Sequence, residues 1–240
     1  GSESESRTIK QGYLLPMTGD LGSLGTVMNA AGMMATEQVQ NADIDINVET
    51  QLEDTATKIP DAITGANALV NGDYPMMVGG ATSNIEIGNS AFIPGGMVAC
   101  SPSNTLPTLS TFDDDNLFFR TTPGYQYQGF AMAQAAANQL DGIETAATTY
   151  INDDYGQLLS QWFTDHFEQG FGGTVQEEIV HDPTQPSYSS KLQTALAGDP
   201  DLLVVITYPA TGVQLYRDYY SEYDSDRPIM ATDGTKDPTL

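Results

Sequence analysis

Apolar positions along this chain switch repeatedly between two spacings. Tyr13–Leu15 is a short apolar run that predicts a strand, and Val27, Ala30, Ala31, Met34 and Ala35 then keep helical spacing. Ile44, Ile46 and Val48 alternate as a strand. Pro60 suits the first turn of a helix whose face is Ile63, Ala66, Leu69 and Val70 and which stops at Gly72. Met76–Val78, Met97–Cys100 and Leu117–Phe119 are continuous apolar runs of the kind that a buried parallel strand shows, and a helix follows around Tyr127–Leu140. The same rhythm then restarts. Ala146–Ile151, Val175–Val180, Leu202–Ile206 and Pro228–Ala231 read as strands. Leu158–Gly170, Tyr188–Leu196 and Val213–Tyr220 read as helices. Two blocks of alternating strand and helix predict an α/β fold made of two doubly wound parallel-sheet domains.

The polar, glycine-rich stretches fall just after predicted strands: PMTGDLGSLG (16–25), GGATSN (79–84), SPSNT (101–105), NDDYG (152–156), TYPATG (207–212) and ATDGTKD (231–237). Open parallel sheets bind ligands outside the carboxyl ends of their strands, so these loops are candidate binding loops, although some need be no more than connections. The 16–25 stretch raises the possibility of a phosphate cradle. Its spacing is GxxGxxG, which fits neither the dinucleotide fingerprint nor a phosphate loop with its lysine.

Composition narrows the chemistry. The chain carries 32 acidic and 8 basic residues in 240, a net charge of -24. So few cations argue against nucleic acid and against anionic membranes. The acid is spread along the chain, and 40% of the residues are hydrophobic, so a packed core is expected. An evenly acidic, lysine-poor surface is the pattern of proteins from saturated salt, where the screening length falls to about 3 Å, and predicts a halophilic, haloarchaeal source. One cysteine, Cys100, precludes an internal disulfide and ends an apolar strand, where a small buried residue suffices. The two histidines, His166 and His181, lie on different elements, and the Asp113–Asp115 run lacks a calcium-loop pattern, so no metal or cofactor is expected. No nucleophile elbow occurs, and nothing ties Ser, His and Asp together. A hydrolase-like enzyme using Cys100 or a serine is a minor alternative. No apolar stretch is long enough to span a membrane, and no signal-peptide pattern occurs; GSESES reads as a linker left after processing or cloning. What the loops offer is hydroxyls, backbone amides, aromatic rings and one acid: Ser83, Ser103, Thr105, Tyr155, Tyr208 and Asp233. Singly, Ser83 and Thr105 read as helix caps. As a set, the residues read as a site for an amino acid, with amides for the carboxylate and an acid for the ammonium.

The stretches IKQGYLLPMTGDLGSLG, VGGATSN, SPSNT, LFFRTTP, NDDYGQ and ATDGT, in that order, resemble the substrate-binding proteins of branched-chain amino-acid ABC transporters. The resemblance implies a type I periplasmic-binding fold, in which two domains close on a ligand in the cleft between them. It assigns Ser83, with Asn84, to the ligand carboxylate, the Ser103 carbonyl and Asp233 to the ammonium, and a hydroxyl contact to Thr105. Tyr155 and Tyr208 match positions that close over the ligand. Leu24 stands where amino-acid binders often carry an aromatic pocket residue, and Lys236 is close enough in sequence to neutralise Asp233. The implied domains are residues 1–121 and 122–230, with 231–240 as a hinge crossing and a stub returning to the first. Family members are longer, so the chain is expected to lack a C-terminal portion. The implied role is an extracytoplasmic receptor, exported and lipid-anchored in some members, that delivers a small amino acid or related compound to a membrane permease, as a monomer or weak dimer and without enzymatic activity. A sensory or regulatory ligand-binding domain of the same fold is the main alternative.

Overall fold

A computed structural model describes residues 7–42, 44–81, 84–223 and 226–237. The chain divides into two compact units. Unit 1 comprises residues 1–104 and 108–122, and unit 2 comprises 105–107 and 123–240.

Unit 1 holds β1 (Arg7–Leu15), α1 (Gly22–Gln40), β2 (Ile46–Asp54), α2 (Ile59–Asn71), β3 (Met76–Gly79), α3 (Asn84–Ile87), β4 (Val98–Ser101) and β5 (Phe118–Arg120). The strands form one sheet in the order β2-β1-β3-β4-β5, and every pairing is parallel. β2 and β3 lie on opposite sides of β1, so the winding reverses between β1 and β3, the doubly wound pattern expected from the sequence. Leu14, Leu15, Leu69, Met77, Ile87, Phe92 and Met97 are fully buried in its core. β1 and β2 begin earlier or run longer than their apolar cores, because polar residues from Arg7 to Gln11 pair with Ile46–Thr50 at the edge of the sheet.

The spacing from Val27 to Ala35 forms α1, but its apolar side faces out. Val27 is 67% and Met34 58% exposed. Small residues set the packing instead. A Cβ on Gly25 would lie 2.0 Å from the Pro16 carbonyl oxygen, and one on Gly32 would lie 2.5 Å from the Tyr13 ring. The helix sits close to β1 on this glycine side, where the Tyr13 hydroxyl donates to the Gly32 carbonyl (2.9 Å) and bonds the Thr36 hydroxyl (3.0 Å).

Unit 2 holds α4 (Tyr125–Gln139), β6 (Thr145–Ile151), α5 (Asp154–Asp165), β7 (Thr174–His181), α6 (Ser189–Ala195), β8 (Leu202–Ile206), α7 (Pro209–Glu222) and β9 (Ile229–Ala231). Its sheet runs β7-β6-β8-β9, again all parallel, with the winding reversing between β6 and β8. β8 is buried at all five positions, which explains its unbroken apolar run. Ala147, Leu203 and Val205 pack with Tyr188, Leu192, Leu215 and Tyr219 in a core between the sheet, α6 and α7. The buried Asp218 of α7 accepts bonds from Ser187 Oγ, the Tyr188 amide and Gln214 Nε2, which fixes the start of α6. His166 stacks on Trp162 (5.6 Å) and meets the edge of Phe130 (5.3 Å), so it packs as its helical position suggests. Among the described residues no helix is long and apolar enough to cross a membrane.

His181 closes the carboxyl end of β7. Its Nδ1 is 2.9 Å from Thr149 Oγ1 on β6, and its Nε2 is 3.0 Å from Thr207 Oγ1 just beyond β8, so one buried ring spans three adjacent strands. Burial, helped by the charge of Lys191, lowers its pKa to about 4, against the opposing effect of Asp182. The folded protein therefore holds His181 neutral while the unfolded chain takes up a proton below about pH 6.5. The stabilisation is complete above that pH and is lost as pH falls toward 4, by about 3 kcal/mol at most. In urea unfolding against pH, wild type should lose more stability than His181→Gln between pH 6.5 and 4; parallel profiles would contradict this account.

Candidate functional site

In unit 1 the carboxyl ends of β1, β3 and β4 are neighbours, and each opens into a polar loop. The loop after β1 is organised by Asp54 at the end of β2. Its Oδ1 accepts the amides of Met17 (2.9 Å), Thr18 (3.2 Å) and Ala56 (2.8 Å), and its Oδ2 accepts the Thr18 hydroxyl (2.6 Å). Thr57 Oγ1 takes the Leu21 amide, and the Gly22 amide donates to the Gly19 carbonyl. Gly19 has φ +80° and no room for a Cβ beside the Ala56 carbonyl, at 2.3 Å. The loop thus has the amide geometry of an anion cradle, and the protein's own carboxylate fills it. Burial works to raise the Asp54 pKa, but the bonds from Thr18, Ala56 and Met17 outweigh it and the net shift is downward. Leu24 stands half-buried in the first turn of α1.

The loops after β3 and β4 are tied together by Ser101, a fully buried residue that no signal in the sequence marks. Its hydroxyl donates to the Gly80 carbonyl (2.6 Å) and accepts the amides of Asn104 (2.9 Å) and Ser103 (3.2 Å). Ser103 is half-buried here, and Asn84 opens the short helix α3. Ser83 lies outside the described residues.

Unit 2 gathers three of the expected residues, Tyr155, Tyr208 and Asp233, at the carboxyl ends of β6, β8 and β9, together with Thr105, which belongs to this unit. The Thr105 carbonyl accepts the Tyr125 amide (3.0 Å), and the two side chains are hydrogen-bonded. Tyr125 lies edge-on to Tyr155 (5.6 Å), which stacks on Tyr208 (5.3 Å, 15°). Tyr208 donates to Asp153 Oδ2 (2.7 Å), whose Oδ1 accepts the Gly156 amide and caps α5. The Tyr155 hydroxyl bonds Thr232 Oγ1 (2.7 Å) and Asp233 Oδ1 (2.9 Å) and accepts the Gly234 amide (3.3 Å). Gln128 Nε2 donates to the same Asp233 oxygen (2.8 Å). Gly234 has no alternative, since a Cβ would lie 2.7 Å from the Thr207 carbonyl oxygen.

Burial, then the charges of Asp233 and Asp153, hold the Tyr155 and Tyr208 phenols well above their ordinary pKa, so both stay protonated. Burial raises the Asp153 pKa against the hydrogen bonds that lower it. Asp233 is exposed, with Oδ1 held by two donors and Oδ2 free of any protein hydrogen bond among the described residues. Lys236 does not neutralise it. The Lys236 amide donates to the Asp233 carbonyl (3.0 Å), and no ion pair joins their side chains. The cluster therefore presents an oriented carboxylate oxygen beside stacked rings, a suitable receptor for a cationic nitrogen. Asp153, Gln128 and Thr232 were not legible as members. Asp153 shows only as a helix cap before Tyr155, and Gln128 sits on a helix remote in sequence. No grouping of His, Cys, Asp and Glu suited to a metal occurs among the described residues.

Two parallel α/β units, each reversing its winding at a central strand pair and each bearing polar loops at the strand ends, define the type I periplasmic-binding fold. The periplasmic binding protein family profile matches residues 8–239, and the chain belongs to that family. Its members are extracytoplasmic, non-enzymatic solute receptors. Similar solved structures include the branched-chain amino-acid transporter substrate-binding protein LivJ from Streptococcus pneumoniae in complex with isoleucine (TM-score 0.85, 20% identity, 95% of this chain, 65% of that one). They also include the leucine-binding protein LivK from Thermotoga maritima (0.80, 22%, 95% and 64%). A solute-binding protein from Rhodopseudomonas palustris in complex with 3,4-dihydroxybenzoic acid is a third (0.83, 18%, 95% and 62%). The chain thus spans under two thirds of the length of these structures. No curated protein sequence matches it.

Removing the Asp54 carboxylate strands several loop donors at once. Asp54→Ala should cost about 2 kcal/mol in urea unfolding and abolish exchange protection of the Met17 and Thr18 amides. Retained protection would show that the carboxylate does not hold the loop.

Proposed function

We propose that this protein is the solute receptor of an ABC transporter and takes a small amino acid or related zwitterion. The observation that carries this reading is Asp233: one carboxylate oxygen is fixed by Tyr155 and Gln128, and the other is left open beside the Tyr155–Tyr208 stack. The hydrogen-bonding partners of this cluster are neutral or acidic, a setting that favours an ammonium and disfavours a bare organic acid. Ser83 and Asn84 take the ligand carboxylate, the Ser103 carbonyl joins Asp233 on the ammonium, Thr105 adds a hydroxyl, and Leu24 limits the side-chain pocket. The receptor works outside the cytoplasm, held at the membrane face by a lipid anchor, in concentrated salt that screens its charge of -24. It hands its ligand to a membrane permease.

Isothermal titration of this chain in multimolar KCl against a panel of amino acids and hydroxybenzoates tests the reading. An amino acid should bind, and Asp233→Asn should weaken it by about tenfold or more, the share of one charge-assisted contact. Binding of hydroxybenzoates alone, or indifference to Asp233→Asn, would sink the zwitterion assignment. Leu24→Tyr should shift preference among side chains; an unchanged ranking removes the loop after β1 from the site.

A further inference from the structure

The two donors that hold the Asp233 carboxylate are of unequal quality. The Tyr155 hydroxyl has one proton and two acceptors within reach, Thr232 Oγ1 (2.7 Å) and Asp233 Oδ1 (2.9 Å), so its bond to the carboxylate is shared. Gln128 Nε2 has two protons and bonds the same carboxylate oxygen at 2.8 Å. The terminal torsion of an aspartate is broad and roughly two-fold, so a carboxylate held by a shared proton alone exchanges its oxygens easily. Gln128 keeps Oδ1 occupied and thereby leaves Oδ2 open.

α4 does not need this bond to hold its place. Its Met132, Ala133 and Ala136 are buried. Gly129, next to Gln128, packs so closely on α5 that a Cβ there would lie 2.6 Å from Trp162 Cβ. The Tyr125 amide ties the start of the helix to the Thr105 carbonyl (3.0 Å). Gln128 thus stands on a rigid element, the setting in which a side chain positions another with precision.

The chemistry of the donor matters as much as its place. α4 carries no charged residue from Tyr125 to Gln139, and Asp233 has no ion pair among the described residues. A lysine or arginine at position 128 would orient the carboxylate and cancel its charge. A neutral amide orients it and leaves the charge for a ligand.

We propose that Gln128 is the specificity-determining residue of this site: it positions Asp233 and, being neutral, makes the site select an ammonium over a hydroxyl at the same place. This role rests on the reading of Asp233 as the ammonium partner.

L-Leucine and 2-hydroxyisocaproate, in which a hydroxyl replaces the ammonium, are the probes, titrated calorimetrically into the chain in multimolar KCl. The unaltered chain should prefer leucine. Gln128→Met should weaken leucine by about tenfold and hold the hydroxy acid within about twofold, because only the ammonium depends on an oriented charge. Gln128→Lys restores a donor but neutralises Asp233, and should abolish the preference for leucine. A parallel loss of both probes, as a merely structural bond would give, or a preference that survives Gln128→Lys, would overturn the proposal and leave the ammonium reading of Asp233 standing. No preference for leucine in the unaltered chain would overturn both. Should the variants fail to fold, the unaltered chain still decides: the Gln128 side-chain amide resonance should respond to leucine and not to the hydroxy acid, and an unresponsive amide sinks the proposal.

Discussion

Parallel strand pairing is the constraint on which the rest of this structure depends. Every pair in both sheets is parallel, so every strand hands its chain to a helix at the same edge of its sheet. The winding reverses between β1 and β3 in one unit and between β6 and β8 in the other, which separates the adjoining loops and opens a crevice at the strand ends. Leu24 and Asn84 follow the first pair; Tyr155 and Tyr208 follow the second. Residues far apart in sequence thus reach one edge of a sheet without any dedicated scaffold.

A second theme is how so acidic a chain accommodates its carboxylates. Few cations are available, and amides and hydroxyls take their place. Asp54 gathers the loop after β1, Asp153 caps α5, and Asp218 holds the start of α6. Asp201 accepts the amides of Glu144 and Thr145 and the Thr145 hydroxyl, and those bonds lower its pKa. Such bonds act at contact distance, where added salt screens little, whereas exposed ion pairs weaken as ionic strength rises. This economy lets a chain of net charge -24 anchor these carboxylates with few cations.

Much of the fold was legible because a buried parallel strand must be apolar throughout, as at Leu202–Ile206, and because glycine and polar residues mark the strand ends. The inward face of α1 was not legible: apolar periodicity points to Val27 and Met34, but close approach at Gly25 and Gly32 decides the packing. In the candidate site, residues with distinctive chemistry at strand ends, Tyr155, Tyr208 and Asp233, could be named in advance. Their supports could not. Gln128 reaches Asp233 across 105 positions of sequence, and Ser101 looks like any serine until Gly80 and Asn104 are placed around its hydroxyl.

The tethered carboxylate in the loop after β1 also bears on what surrounds the protein. Backbone amides converging after a strand are a general receptor for small anions, and a saline medium supplies chloride in abundance. Asp54 competes for those amides from within the same chain, at an effective concentration that no dissolved ion matches over so short a connection. The loop is therefore already occupied in any buffer, and its shape is independent of which anions the environment provides.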